Sequence, residues 1–338
     1  MQNQMHKFCV SPMMDWTDRH CRFFHRQMTR CARLYTEMVT AQAVVHGRRE
    51  DLIGFSAVEQ PLTLQLGGSD PVMLGEATAI GAAWGYDEIN LNVGCPSDRV
   101  QGGNFGACLM AEPGLVADCV RAMIDAAGGV PVTVKCRIGI DDQDSEADFE
   151  RFITTVADVG CQVFIVHARK AWLQGLSPKE NREIPPLDYE RVWRLKAAHP
   201  DLVVVINGGL TSLAEAEGQL QHVDGVMLGR AAYHTPWVLS AVDEMFYGAP
   251  RAVESRDEVL VRLQPYIAQH LERGGRLNNI TRHILGLYHG QPGARAFRRF
   301  LSERGPGPDA GIDVIDALIA SLQRVAGKER ARPELTEQ

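Results

Sequence analysis

No two cysteines in this chain stand in a C-x-x-C pair. The eight, at 9, 21, 31, 95, 108, 119, 136 and 161, are scattered, a spacing that supports neither a zinc nor an iron–sulfur site. The eleven histidines include no H-x-x-x-H pair, so no metal is expected. No apolar run approaches the ~20 residues that span a bilayer. Residues 1–7 are polar and lack the apolar core of a signal peptide. A cytoplasmic location with reduced, mostly packed thiols is the resulting expectation. The first apolar run ends Ser11-Pro12-Met13-Met14-Asp15, with no glycine, which argues against an open doubly wound sheet opened by G-x-G-x-x-G. Positive charge is not in excess either. A net charge of −7 argues against binding of nucleic acid by bulk attraction.

What is present is the composition of a soluble globular protein, 45% hydrophobic and 23% charged over 338 residues. Eight short runs rich in Val, Ile and Leu recur at 8–12, 32–38, 62–67, 88–93, 132–138, 163–167, 203–207 and 225–228. Their spacing is too wide for hairpins. Their near-continuous apolar character suits parallel strands covered on both faces. Helical patterns lie between most of them, at 71–84, 115–127, 145–159, 188–198 and 212–220. Eight such units make a TIM (β/α)8 barrel of residues 1–248, in which function sits at the C-terminal strand ends.

Those ends carry polar groups that must find partners or line the mouth. They are Pro12-Met13-Met14, Glu37-Met38, Gln65-Leu66-Gly67, Asn92-Val93-Gly94-Cys95, Lys135-Cys136-Arg137, His167-Ala168-Arg169, Asn207-Gly208-Gly209 and Gly229-Arg230. Gly94 and Pro96 flank Cys95 and restrict the backbone on either side. Cys95 is either a positioned thiol or a buried small hydrophobe. The glycine turns at Gly208-Gly209 and Gly229, with Arg230, suit a ligand phosphate. His167 reads equally as a ligand contact and as a hydrogen-bonded core histidine. Two loops exceed what connection requires, 95–113 and 170–187. The first, with Gly102, Gly103 and Gly106, is expected to flex. The second, with Trp172, Lys179, Arg182 and Pro185-Pro186, is expected to be an ordered surface facing a partner.

Past residue 250 the pattern turns helical, at 259–271, 280–288, 295–301 and 312–325. Residues 249–328 are expected to form a small all-helical domain, and 329–338 a flexible tail. Charge is uneven: residues 1–250 hold 21 basic and 31 acidic side chains, residues 251–304 hold 10 and 5. Phe297, Phe300 and Leu301 fall on one helical stripe, with Arg295, Arg298 and Arg299 off it. The basic side is a solvated face or a polyanion contact.

Taken together these motifs resemble the tRNA-dihydrouridine synthases. The resemblance is carried by Asn92-x-Gly94-Cys95-Pro96, Gly106-Ala107-x-Leu109-Met110, Ser11-Pro12-Met13, Lys135-x-Arg137, His167-Ala168-Arg169, Asn207-Gly208-Gly209 and Gly229-Arg230. The run from His167 to Arg182 is similar to the A subfamily specifically. The resemblance covers nearly the whole chain and implies an FMN enzyme that reduces uridine in the tRNA D-loop with NADPH, at nucleotides 20 and 20a. It implies that FMN's phosphate lies at Asn207, Gly208, Gly209, Gly229 and Arg230, with His167 on the ribityl-phosphate side. Pro12, Met13, Met14 and Gln65 would contact the ring, and Lys135 would lie near its N1/O2 edge. Cys95, whose thiol carries a transferable proton, would act as general acid to C5, and Asn92 would contact the base. Lys179, Arg182, Arg295 and Arg298 would hold tRNA phosphates. A monomer is the expected state. Two alternatives stand beside this: a flavin reductase of a free pyrimidine or another conjugated alkene on the same barrel, and a flavin-containing RNA chaperone without chemistry.

Overall fold

The structure, a computed structural model, describes residues 2–330; the expected tail at 329–338 therefore lies almost wholly outside the described residues. Eight parallel strands form one sheet in the order β1-β8-β7-β6-β5-β4-β3-β2. They are β1 (Phe8–Val10), β2 (Leu34–Thr40), β3 (Leu62–Gly67), β4 (Glu88–Val93), β5 (Val132–Arg137), β6 (Val163–His167), β7 (Val203–Asn207) and β8 (Gly225–Leu228). A parallel bridge between Cys9 and Arg33 joins the two ends of the sheet. It is held by Val10 N–H to Arg33 O at 2.9 Å and Arg33 N–H to Phe8 O at 3.0 Å. The TIM barrel expected from the strand rhythm is present, and β3, β4, β6, β7 and β8 begin and end where the apolar runs do.

The expectation of uniformly apolar strands is corrected on one side of the barrel. Inward residues on β1, β2 and β6–β8 form an apolar cluster of Cys9, Tyr35, Val163, Ile165, Val203, Val205 and Met227. On β3–β5 the buried residues outside the apolar clusters are polar: Thr63 and Gln65, then Glu88, Asn90 and Asn92, then Thr133 and Arg137. The period of two in Glu88-x-Asn90-x-Asn92 and Thr133-x-Lys135-x-Arg137 is a strand signal, but it places the polar set inside.

The helix Arg19–Met28, between β1 and β2, escapes a periodicity reading because its inner face carries charge. Arg22 and Arg26 are buried. Arg22 pairs with Glu59 at 2.8 Å, and Arg26 donates to the carbonyls of Thr29, Ala32, Glu59 and Pro61. Asp18 caps this helix by accepting from His20 N–H and Cys21 N–H, both at 2.9 Å. After β8 the chain runs through helices Arg256–Glu272, Asn278–Ile284, Ala294–Arg304 and Asp313–Arg330. The first two of these dock on the barrel through Arg19–Met28. Phe23 stacks on Tyr266 at 3.8 Å. Asp18 also accepts from Arg282 at 2.6 Å and from His283 at 3.0 Å. Burial alone would raise the Asp18 carboxyl, but His283 and Arg282 hold it well below the usual range. No helix among the described residues is long and apolar enough to cross a membrane.

Candidate active site

The strand ends converge as a barrel requires. Cys95 follows β4, half-buried, its thiol donating to Ser97 Oγ at 3.5 Å. The loop that carries it is partly built from regular turns. It contains a helix, Asp98–Gln101, and a 3-10 turn, Gly106–Ala111, with Ala107, Leu109 and Met110 buried. Gly106 has φ +80, and a Cβ there would meet Cys95 O at 2.5 Å. The glycine serves close approach, and Ala107 N–H bonds to Cys95 O at 2.9 Å.

Arg137 pins this loop to the next. Its guanidinium donates to Gly94 O at 2.8 Å, to Lys170 O at 3.0 Å and to Asn181 O at 3.0 Å. Burial lowers its pKa to about 10. The long loop after β6 is ordered as expected. Asn181 is buried, accepts from Trp172 N–H at 2.8 Å and donates to Trp172 O at 2.9 Å. Lys179 and Arg182 are exposed at its outer turn.

The floor of the mouth is electropositive. Lys135 Nζ donates to Asn207 Oδ1 at 3.2 Å, and Asn207 Nδ2 to Met227 O at 2.8 Å. Burial lowers Lys135 to about 8, helped by the charge of Arg137. Burial, then Arg137, Lys135, Arg169 and Arg182, drive His167 far below the usual imidazole range, so it is neutral. Gly208 (φ +114) and Gly209 (φ +71) take left-handed conformations. A Cβ at Gly208 would stand 2.6 Å from His167 Cδ2, and Tyr189 OH donates to Gly208 O at 2.6 Å. Arg169 Nε is buried without a hydrogen-bond partner. A cluster of cations, an unpartnered guanidinium N–H and a glycine cradle suit a phosphate-bearing anion. The residues present therefore fit the phosphate end of a flavin mononucleotide.

Most of the remaining sequence-predicted residues lie at the strand ends around this floor. Gly229 lies beside Ser11 and Met13, whose Sδ is 3.8 Å from where its Cβ would be. Pro12 is half-buried and Met14 exposed. Arg230 is paired with Glu183 at 2.6 Å. Gln65 and Asn92 are buried and bonded to each other at 2.9 Å. Arg295 and Arg298 stand apart from the mouth elements, exposed on Ala294–Arg304, whose Phe297 and Leu301 are buried. A separate cleft of about 560 Å³ between Arg19–Met28 and Arg256–Glu272, lined by His20, Phe23, Tyr266 and His270, contains none of the expected mouth residues. Sequence reasoning gave no role to Arg137, although its position two residues after Lys135 puts both on the same side of β5. It also missed the stack of Trp16 on Tyr233, 4.4 Å apart.

A parallel barrel whose C-terminal strand ends bring together a held thiol and a phosphate-type cradle has the architecture of a TIM-barrel enzyme. The family model described as dihydrouridine synthase (Dus) matches residues 9–316, and the chain belongs to that family. It is 59% identical over 310 residues to the tRNA-dihydrouridine(20/20a) synthase of Xanthomonas campestris pv. campestris, covering 92% of each chain. With the protein of the same name from Shewanella oneidensis it shares 58% over 316 residues, 94% of each chain. With that from Synechocystis sp. it shares 56% over 310 residues, 92% of each.

Proposed function

We propose that this chain reduces uridine to 5,6-dihydrouridine in tRNA, at nucleotides 20 and 20a as its relatives' names state, with FMN as cofactor and NADPH as reductant. The observation that carries this is the half-buried Cys95 thiol within electrostatic reach of Lys135 and Arg137, the cations that also act on His167 at the glycine cradle. Asn207, Gly208, Gly209, Gly229, Arg230 and His167 would hold the phosphate, Lys135 would place positive charge beside the ring, and Pro12, Met13, Met14 and Gln65 would contact it. When bound and reduced, FMN supplies hydride to C6 of the uracil. Cys95 gives the matching proton to C5, so that hydride and proton add across the C5–C6 double bond and the thiolate regains its proton from solvent. Asn92 faces the base. The uridine must leave the tRNA stack to enter the mouth. Lys179, Arg182, Arg295 and Arg298 bind phosphates and set orientation. All of these groups belong to one chain, and the protein acts as a monomer in the cytoplasm.

The test is an absorption spectrum of the purified protein, followed by anaerobic mixing of its reduced form with undermodified tRNA. A flavin spectrum that re-oxidises only with tRNA supports the proposal. Re-oxidation by free uracil but not by tRNA indicates a small-molecule reductase, and a protein that cannot be reconstituted with FMN removes the proposal. Cys95→Ala should lower dihydrouridine formation about 10²- to 10⁴-fold with flavin still bound. An unchanged rate would assign the proton to another donor.

A further inference from the structure

A ladder of hydrogen bonds runs through the polar half of the barrel, from its base to the Cys95 loop. Thr133 Oγ1 donates to Glu88 Oε1 at 3.0 Å. Asn90 Nδ2 donates to Thr133 Oγ1 at 2.9 Å, Gln65 Nε2 to Asn90 Oδ1 at 2.8 Å, and Asn92 Nδ2 to Gln65 Oε1 at 2.9 Å. At the top, Asn92 Oδ1 accepts from the backbone N–H groups of Gly94, at 3.1 Å, and Cys95, at 3.0 Å.

Both ends of the ladder impose the same direction. An ionised carboxylate only accepts, and a backbone N–H only donates. Burial by itself would raise the Glu88 carboxyl, but the charge of Arg33 and then His6 bring it down to about 2, so it is ionised at neutral pH. Thr133 therefore gives its one proton to Glu88 and presents lone pairs to Asn90. That leaves Asn90 Oδ1 facing Gln65, and each amide above is turned the same way. The opposite half of the barrel interior is filled by Val163, Ile165, Val203, Val205 and Met227, so packing alone does not call for polar residues here. A buried polar chain is costly unless fully satisfied, and when satisfied it selects one geometry.

We propose that Asn90 and Thr133, fully buried below the mouth, are positioning residues for Cys95: through Gln65 they turn the Asn92 amide, which holds the Gly94–Cys95 turn and so aims the thiol. The catalytic consequence rests on the proton-donor role given to Cys95 above. The decisive variant is Thr133→Val, which keeps the shape and removes the hydroxyl. Asn90→Asp, which replaces the donor by a second acceptor-only group, serves if that variant does not fold. In the full-length flavin-loaded protein, amide hydrogen exchange at Gly94 and Cys95 should accelerate about tenfold. The single-turnover rate with tRNA should fall about 10- to 100-fold, the range that a small misplacement costs. Affinity for tRNA, set by phosphate contacts far from the ladder, should stay within about twofold, and Thr133→Ser should restore both losses. Unchanged exchange at 94 and 95, or a turnover rate within about twofold of the parent, overturns the proposal. Normal dihydrouridine formation by Cys95→Ala, with exchange still accelerated in Thr133→Val, would instead remove the proton-donor role and leave the ladder's hold on the turn intact.

Discussion

At the scale of single residues, the mouth depends on positions where no other side chain fits. Gly208 combines φ +114 with a neighbour, His167 Cδ2, only 2.6 Å from where a Cβ would be. Gly208→Ala should destabilise the protein by about 1–3 kcal/mol and displace the His167 ring. The measurable outcome is weaker FMN retention on dialysis, against an expected near-parent value for Gly218→Ala, where a Cβ meets nothing. The glycine pair was legible in the sequence as a turn after an apolar run. The state of His167 was not, because it depends on the charges of Arg137, Lys135, Arg169 and Arg182 brought around it by other strands and loops. Arg230 was legible as a cation at the end of β8, but its partner Glu183 lies 47 residues away in the chain.

At the scale of elements, helix Ala294–Arg304 was readable because its two faces differ. Phe297 and Leu301 are buried, while Arg295, Arg298 and Arg299 are exposed. Replacing Arg295 and Arg298 together by Ala should weaken tRNA binding and reduce the salt dependence of log K by about one unit per lost phosphate contact. NADPH oxidation without tRNA should be unaffected. A binding curve and salt slope equal to the parent's would assign docking to another surface. The Cys95 loop was less readable. Its glycines look like hinges in sequence, yet Phe105 packs 2.8 Å from where a Gly67 Cβ would be, and Gly106 lets the loop close on Cys95 O. Local composition reports backbone freedom, whereas where such a loop packs is set by contacts with distant residues.

At the scale of the whole molecule, the barrel closes at β1 and β2 through the Cys9–Arg33 bridge, and a buried charge cluster lies close to that seam. Glu88 on β4 accepts from His6 at 2.5 Å, from Tyr35 at 3.1 Å and from Thr63 at 3.2 Å, and lies 3.8 Å from Arg33. Its folded-state pKa of about 2 lies below the ordinary 4.5. The stabilisation it contributes is therefore complete above about pH 4.5 and disappears as pH falls through about 2. Glu88→Gln should cost about 3–5 kcal/mol at neutral pH, as expected when one partner of a buried pair is removed. The gap between variant and parent should narrow across that acid window. Denaturant unfolding at pH 6 and pH 3 reads both effects, and a gap that does not depend on pH would show that Glu88 is not ionised in the folded protein.

The sequence by itself determined the strand rhythm, the polar groups at the strand ends, the glycine turns and the two-faced helix, because each is a local pattern of period or backbone freedom. Only the tertiary structure decided which polar residues meet. The ladder from Glu88 to Cys95, Arg137 across two loops, and Asp18 between the barrel and the C-terminal helices all join residues distant in the chain. Such partners are chosen by the closure of the barrel, which no window of sequence contains.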